Sequence, residues 1–341
     1  LGNERADLLR SPLPRPYSGA DPHPPAIAVL TLYTTSPQKA AAHLRMGQVV
    51  AFPTETVYGL GADAFNAAAV QRIFEAKGRP SDNPLIVHLA EVSQIDTVAA
   101  HVPADAHALL DRFSPGPLTV ILPKAEMVPA IVSGGLTTVG VRIPGHPLAQ
   151  AFLRACNTPV AAPSANRSGR PSPTSWQAVA SELDGRIGVL LKGGRAAVGL
   201  ESTVVDCSTS NPVVLRAGAV TVEELRQICP TIQVADSRGP IRSPGQKHRH
   251  YTPAATVVLV SDPAEATPAP VHAYIGLDAP DDVDAFGHVC VCSDLQSYAH
   301  HLFDFFYHCD AAGMAQLYCQ RVPETGLGRA LMDRLKRAAT R

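Results

Sequence analysis

Residues 53–88 read PTETVYGLGADAFNAAAVQRIFEAKGRPSDNPLIVH, and the order of elements in this stretch decides the fold. A strand end leads into Gly59-Leu60-Gly61, which reads as a glycine turn. Asn66 then caps an amphipathic helix whose Val70, Ile73 and Phe74 form one apolar stripe. Gly78 stops that helix, and a polar loop carrying Lys77, Arg79 and Asn83-Pro84 runs into an apolar strand over 85–89. Alternation of this kind predicts an α/β domain, and two cations on a tight loop at a helix end predict an anion site.

The same alternation continues outward. Strands are predicted over 49–53, 118–122, 139–143, 159–162, 189–191, 203–206 and 213–215, with helices between several of them. Pro147 opens one helix, Thr174 or Ser175 caps the next, and Thr221 with Glu224 makes a capping box for a helix over 222–228. Residues 31–230 are thereby assigned to the larger domain. Residues 231–253 lack periodicity and hold Arg238, Arg242, Lys247 and Arg249, the composition of a basic linker. Residues 254–341 predict a small Rossmann-like α/β domain with strands at 256–260, 271–275, 289–292 and 316–322, a helix at 295–309, and a last helix with Leu327, Leu331 and Leu335 on one stripe. Its first connections, only about ten residues long, are too short for full helical crossovers. Residues 1–30, rich in proline and polar groups, are expected to be a disordered leader that matches neither a transit peptide nor a secretory signal.

Composition excludes several classes. The 341 residues are 45% hydrophobic and 17% charged, which rules out disorder throughout. A formal charge of -1 lacks the basic excess of a protein held mainly by a nucleic-acid backbone, while leaving room for a transient RNA partner. The seven cysteines form no C-x-x-C, so neither a zinc site nor a disulfide framework is expected, and reduced thiols in a cytoplasmic protein are the plain reading. No apolar run reaches the ~18 residues that span a bilayer.

Among single residues, Lys77 and Arg79 read either as solvated surface cations or as a polyphosphate clamp. His88, at the end of LIVH, is either a hydrogen-bonded core histidine or a site residue. Arg142 interrupts the apolar run VGVRIP, and a guanidinium there needs a partner: an internal Asp or Glu, or a substrate carboxylate held by its planar fork. Ser164, Asn166, Ser168 and Ser172 follow the strand PVAAP, where ligands collect in open α/β sheets.

Taken in order, PTETVYGLG, Lys77-Gly78-Arg79, NPLIVH, Ser164-Ala165-Asn166 with SGRPSP, ESTVVD (201–206) and VLRAG resemble the YrdC-type threonylcarbamoyl-AMP synthases. SPGQKHRHYTP (243–253) and the tail GLGRALMDRLKRA are similar to the linker and last helix of the two-domain members. Two departures from those members are the trimmed first connections of the second domain and His248, where an aromatic is frequent. The resemblance implies a YrdC-like twisted mixed sheet with flanking helices, and a nucleotidyltransferase that makes threonylcarbamoyl-adenylate and pyrophosphate from L-threonine, bicarbonate and ATP with Mg²⁺. The product is the donor for threonylcarbamoyladenosine in tRNA, passed to a downstream transferase. It further implies a threonine pocket of Thr56, His88, Arg142, Ala162 and Ser202. ATP contacts are implied at Arg79, Asn83, Thr138, Ser164, Asn166, Ser172, Arg216 and Tyr251, with Lys77 and Arg79 serving the phosphates and no protein metal ligand. The linker is then expected to act as a lid. Two other classes are weighed against this one. A double-stranded RNA-binding module is opposed by the near-neutral charge, and a hydrogenase-maturation carbamoyl-transfer domain by the lack of paired C-x-x-C.

Overall fold

The computed structural model describes residues 29–235 and 251–340. The leader up to residue 28 and most of the basic linker, including His248, lie outside the described residues. The larger domain is built on an eleven-stranded mixed sheet whose neighbours run Leu32–Thr34, Val189–Leu191, Val50–Phe52, Gly59–Asp63, Val160–Ala162, Ile86–His88, Thr138–Arg142, Leu118–Pro123, Thr203–Asp206, Val213–Arg216 and Gln233–Val234. The sheet therefore extends beyond Thr231, where the sequence places the start of the linker, because Val213 and Val214 pair in parallel with Gln233 and Val234. The two central strands are parallel and in register, so His88 lies directly beside Arg142. Both residues end their strands, the position at which an open α/β sheet leaves a crevice.

The capping chemistry is as the sequence predicts. The Asn66 side chain accepts the Ala69 amide at the start of helix Ala67–Lys77, and Gly78 closes it in the left-handed region. Ser175, not Thr174, caps helix Trp176–Leu183 by accepting from Ala178. Thr221 and Glu224 form both halves of their capping box.

One expectation fails. Gly59-Leu60-Gly61 is no turn but the start of a buried strand antiparallel to Val50–Phe52. The glycines are there for space: a Cβ on Gly61 would come within 2.6 Å of Val160 Cγ1 and 2.9 Å of Phe52 Cε1.

The small domain is a four-stranded parallel sheet in the order Thr256–Val260, Gln316–Gln320, His272–Gly276, His288–Val291. Single 3₁₀ turns, Pro263–Glu265 and Val283–Ala285, replace helices in its first two connections, and helices Leu295–Ala311 and Leu327–Ala339 complete it. Its core takes in Val57 and Leu200 of the larger domain. Around that apolar contact Arg170 pairs with Asp310, Arg195 reaches Asp304 at 3.2 Å, and the Tyr307 hydroxyl donates to the Pro171 carbonyl at 2.7 Å.

At Gly199 the domains meet backbone to backbone. Its φ is +84°, and a Cβ would lie 2.5 Å from the Ala299 carbonyl oxygen and 2.6 Å from His300 Cα. Gly199→Ala is expected to destabilise the chain by about 2–3 kcal/mol through overpacking and left-handed strain. Chemical denaturation would read that loss, and limited proteolysis would read earlier separation of the domains; an unshifted midpoint would refute the close-approach argument.

Candidate active site

A cleft of about 610 Å³, counting the space at its mouth, opens over the ends of the central strands, a size that suits a small-molecule ligand. Nine residues implied by the sequence line it together: Thr56, Arg79, His88, Arg142, Ala162, Ser164, Ser202, Arg216 and Tyr251. Their convergence follows from local folding. The strand from Gly59 lies antiparallel to the 163–173 loop, with Leu60 donating to the Pro163 carbonyl, Ala165 to the Tyr58 carbonyl, and Tyr58 to the Pro173 carbonyl. That pairing presses the PTET loop and the PSAN loop against opposite sides of one crevice.

Arg142 is buried, and its guanidinium plane is held from three directions. Nε donates to the Gly116 carbonyl at 3.3 Å, Nη1 to Thr56 Oγ1 at 2.8 Å and Nη2 to Glu55 Oε1 at 2.7 Å. Of the two partners that the sequence leaves open, the internal carboxylate is thus present. Burial pushes the Glu55 carboxyl up, but the adjacent Arg142 outweighs it and holds the group below the usual carboxylate range. Three of the five guanidinium hydrogens are used, so one N–H remains on each terminal nitrogen for a ligand carboxylate. Next to it, His88 hydrogen-bonds the Ile86 carbonyl through Nδ1 at 3.1 Å, which places the proton on that nitrogen, and its ring meets Phe52 edge-on. Burial first, then Arg142, lowers the His88 pKa to about 3, so the imidazole is neutral near pH 7.

Arg79 and Arg216 supply the rest of the positive charge. Nη2 of Arg79 donates to the Pro84 carbonyl at 3.2 Å, while its Nε and the Asn83 side-chain nitrogen are buried without a hydrogen-bond partner among the described residues. Burial lowers the Arg79 pKa to about 10, which leaves it cationic at neutral pH. Two unsatisfied buried donors side by side are costly unless an anion arrives. Arg216 donates to the Ser202 carbonyl and, at 3.1 Å, to Ser202 Oγ, whose own neighbour is Thr119 Oγ1 at 2.8 Å. The ring of Tyr251 stacks on Phe303 at 5.4 Å and closes the cleft on the side of the small domain, and burial raises its hydroxyl pKa to about 12.

The other implied residues stand elsewhere. Thr138 lines a smaller hollow that shares Pro84, Leu85 and Ile86 with the cleft. Lys77 does not face the cleft: its ammonium, almost fully buried, donates to the Ser164 carbonyl at 2.6 Å and to the Asn166 carbonyl. Burial and then Arg79 push its pKa well down. It pins the 163–173 loop to the end of helix Ala67–Lys77. Asn166 works within that loop, its amide donating to the Arg167 and Arg170 carbonyls. Ser172 sits behind the cleft wall and donates to Glu201 Oε1.

Glu55, Glu201 and Arg334 are the residues that sequence reasoning missed. Among the described residues Glu201 is the single carboxylate on the cleft wall, and Arg334, from the last helix, donates to its Oε2 at 2.9 Å. A signal for Arg334 exists: it falls seven residues after Leu327 and three after Leu331, on the apolar stripe itself.

Three guanidinium groups, loop hydroxyls and a single, already paired carboxylate at the carboxyl ends of parallel strands define an α/β enzyme that binds anionic substrates without a P-loop. The family model described as "Telomere recombination" matches residues 42–218, and that described as "Threonylcarbamoyl-AMP synthase, C-terminal domain" matches 220–340. The chain belongs to the threonylcarbamoyl-AMP synthase family, a family of nucleotidyltransferases. It is 41% identical to the Pyrococcus abyssi threonylcarbamoyl-AMP synthase over 88% of this chain and 93% of the relative, and 42% identical to the Bacillus subtilis enzyme over 90% and 94%. Its structure is similar to that of P. abyssi Sua5 complexed with L-threonine, with a TM-score of 0.81 at 38% identity over 91% of this chain and 97% of the other. A double-alanine variant of the same protein superposes with a TM-score of 0.83 over 91% and 96%. Two-domain membership over nearly the whole chain displaces the RNA-binding and hydrogenase-maturation alternatives.

The buried His88 gives a pH prediction. Its folded pKa, about 3, lies below the unfolded value of 6.5, so the unfolded chain takes up a proton that the folded chain refuses. Stability is full above pH 6.5 and falls as pH drops toward 3. Over the first two units this is expected to cost about 2–3 kcal/mol. Urea titrations at pH 6.5 and 4.5 should show a larger drop for the native chain than for His88→Asn; equal drops would mean that His88 is protonated in the folded state.

Proposed function

We propose that this chain joins L-threonine, bicarbonate and ATP into threonylcarbamoyl-adenylate and pyrophosphate in the cleft described above. The observation that carries this reading is the meeting of Arg79, Arg142, Ser164, Ser202 and Arg216, from five separate segments, on one crevice. In this reading the two remaining N–H groups of Arg142 clamp the amino-acid carboxylate. The neutral His88, Thr56 and Ser202 surround its remaining polar groups. The α-amine attacks the bicarbonate carbon and gives up a proton as hydroxide leaves, the two departing together as water, and an oxygen of the resulting carbamate attacks the α-phosphorus as pyrophosphate leaves. No covalent enzyme nucleophile is needed, since the work is alignment and charge neutralisation. Arg79, through its unpartnered Nε, Ser164 and Arg216 would hold the nucleotide. Among the described residues no group of three His, Cys, Asp or Glu is placed to bind a metal. Mg²⁺ would travel with the phosphates and neutralise part of their charge.

The linker, which carries the cleft-lining Tyr251 near its end, would act as a lid that keeps water from the carbamate. The product would pass to a tRNA threonylcarbamoyl transferase, with at most a weak tRNA contact by this chain. We place the reaction in the cytoplasm; seven free cysteines fit a reducing compartment, and no helix among the described residues is long and apolar enough to cross a membrane.

The deciding assay is pyrophosphate release, expected only when threonine, bicarbonate and ATP are all present; release without threonine would overturn the proposal. Arg142→Lys, which cannot offer a planar fork, should raise KM for threonine by about 10- to 100-fold, the equivalent of roughly 1.4–2.7 kcal/mol. Arg79→Ala and Lys77→Ala should part company. The first is expected to depress ATP turnover with little change in Tm, whereas the second, which unpins the 163–173 loop, should lower both. Deleting residues 243–251 should abolish adenylate formation, and an undiminished rate would refute the lid.

A further inference from the structure

Arg334 is completely buried, yet it belongs to a helix of the small domain while two of its hydrogen-bond partners, Glu201 and Ala217, belong to the larger one. Nε donates to Glu201 Oε2 at 2.9 Å and Nη1 to the Ala217 carbonyl at 2.8 Å, and the guanidinium lies 5.7 Å from the centre of the Tyr251 ring. A further contact runs to Asp333 at 3.0 Å on the same helix. Nη2 is buried and has no hydrogen-bond partner among the described residues. The other oxygen of Glu201 receives the Ser172 hydroxyl. Burial pushes the Glu201 carboxyl up, but Arg334 and then Arg216 overcome it, so the group is held below the usual carboxylate range. One arginine of the small domain thus anchors a charge on the cleft wall, a hydroxyl behind that wall and a tyrosine of the linker.

Such an arrangement is expensive to bury for stability alone. A buried ion pair recovers its desolvation cost only with good geometry and satisfied remaining groups, and here one nitrogen is left over. Well-packed apolar residues would join the two domains as firmly. What they could not do is fix the orientation of a carboxylate between two arginines, Arg334 and Arg216.

We propose that Arg334 is a positioning residue for the nucleotide side of the cleft. By docking the last helix it sets Glu201, and through Glu201 it sets Ser172 and balances Arg216, so that the nucleotide-binding wall takes its working shape only when the small domain is seated. This rests on the function proposed above and gives the second domain a role inside the site rather than beside it.

The test uses the full chain, at a temperature well below the Tm of each variant. Steady-state pyrophosphate release is measured with ATP and threonine varied separately. Arg334→Lys, which keeps the charge but not the fork, should raise KM for ATP by about tenfold, equivalent to roughly 1.4 kcal/mol, with KM for threonine within about twofold. Glu201→Gln, nearly isosteric, should give the same split, and the double variant should be no worse than the more impaired single one, as expected of residues that act in series. A merely structural Arg334 would lower Tm and the active fraction and leave both KM values unchanged; that result would overturn the proposal. If Arg334→Lys does not fold, Glu201→Gln decides: an unchanged KM for ATP in that variant sinks the inference. Activity in the native chain that needs threonine, bicarbonate and ATP would stand in either case, so failure here is separable from failure of the proposed function.

Discussion

A guanidinium buried at the end of a central strand is the constraint from which the architecture of the cleft follows. Arg142 can occupy that place only if its desolvation is offset by close, well-directed partners. They come from two other parts of the chain: Glu55 and Thr56 on the PTET loop and the carbonyl of Gly116. Meeting them draws the PTET loop over the strand ends, which brings the following strand alongside Val50–Phe52 and positions Tyr58 and Leu60 to pair with the 163–173 loop. This side of the crevice is thus a by-product of satisfying one buried charge.

The opposite side, which we propose holds the nucleotide, is organised by the same economy with more charges. Arg334 and Arg216 flank Glu201, a carboxylate on the cleft wall, and Arg79 lines the same cleft. Positive charges held this close repel one another, and unsatisfied donors at Arg79 and Asn83 add to the cost. A polyphosphate relieves both. Where a P-loop would use consecutive backbone amides for this purpose, this fold uses side chains drawn from distant parts of the sequence, each fixed by carbonyl oxygens behind it.

How much of this was legible in the sequence depended on whether the signal was local. Caps at Asn66, Ser175 and Thr221 are set by a hydroxyl, amide or carboxylate within three residues of its partner, and they can be read directly. Arg142 announced itself as a charge in an apolar run, and Arg334 carried the same kind of signal at helical rather than strand period, which is easier to overlook. Gly59 and Gly61 misled because a glycine required for a turn and one required for clearance look alike; the Phe52 and Val160 side chains that demand the clearance come from other strands. Lys77 misled for a related reason. Only Gly78 separates it from Arg79, but it sits in the last helical turn and Arg79 lies past that left-handed glycine, so the two side chains leave the backbone toward different surroundings. Tertiary position, not residue type, decides which of two neighbouring cations meets solvent, loop or ligand.

The bare contact at Gly199 carries an implication for inheritance. Where side chains separate two modules, drift in one can be absorbed by repacking in the other; where main chain touches main chain, there is no such cushion. The Ala299-His300 turn of helix must keep its standoff from that glycine to a fraction of an ångström. The two halves of the polypeptide are therefore bound to evolve as a matched set, and a chimera that borrows its smaller half from a cousin would seat correctly only where the donor preserves that spacing.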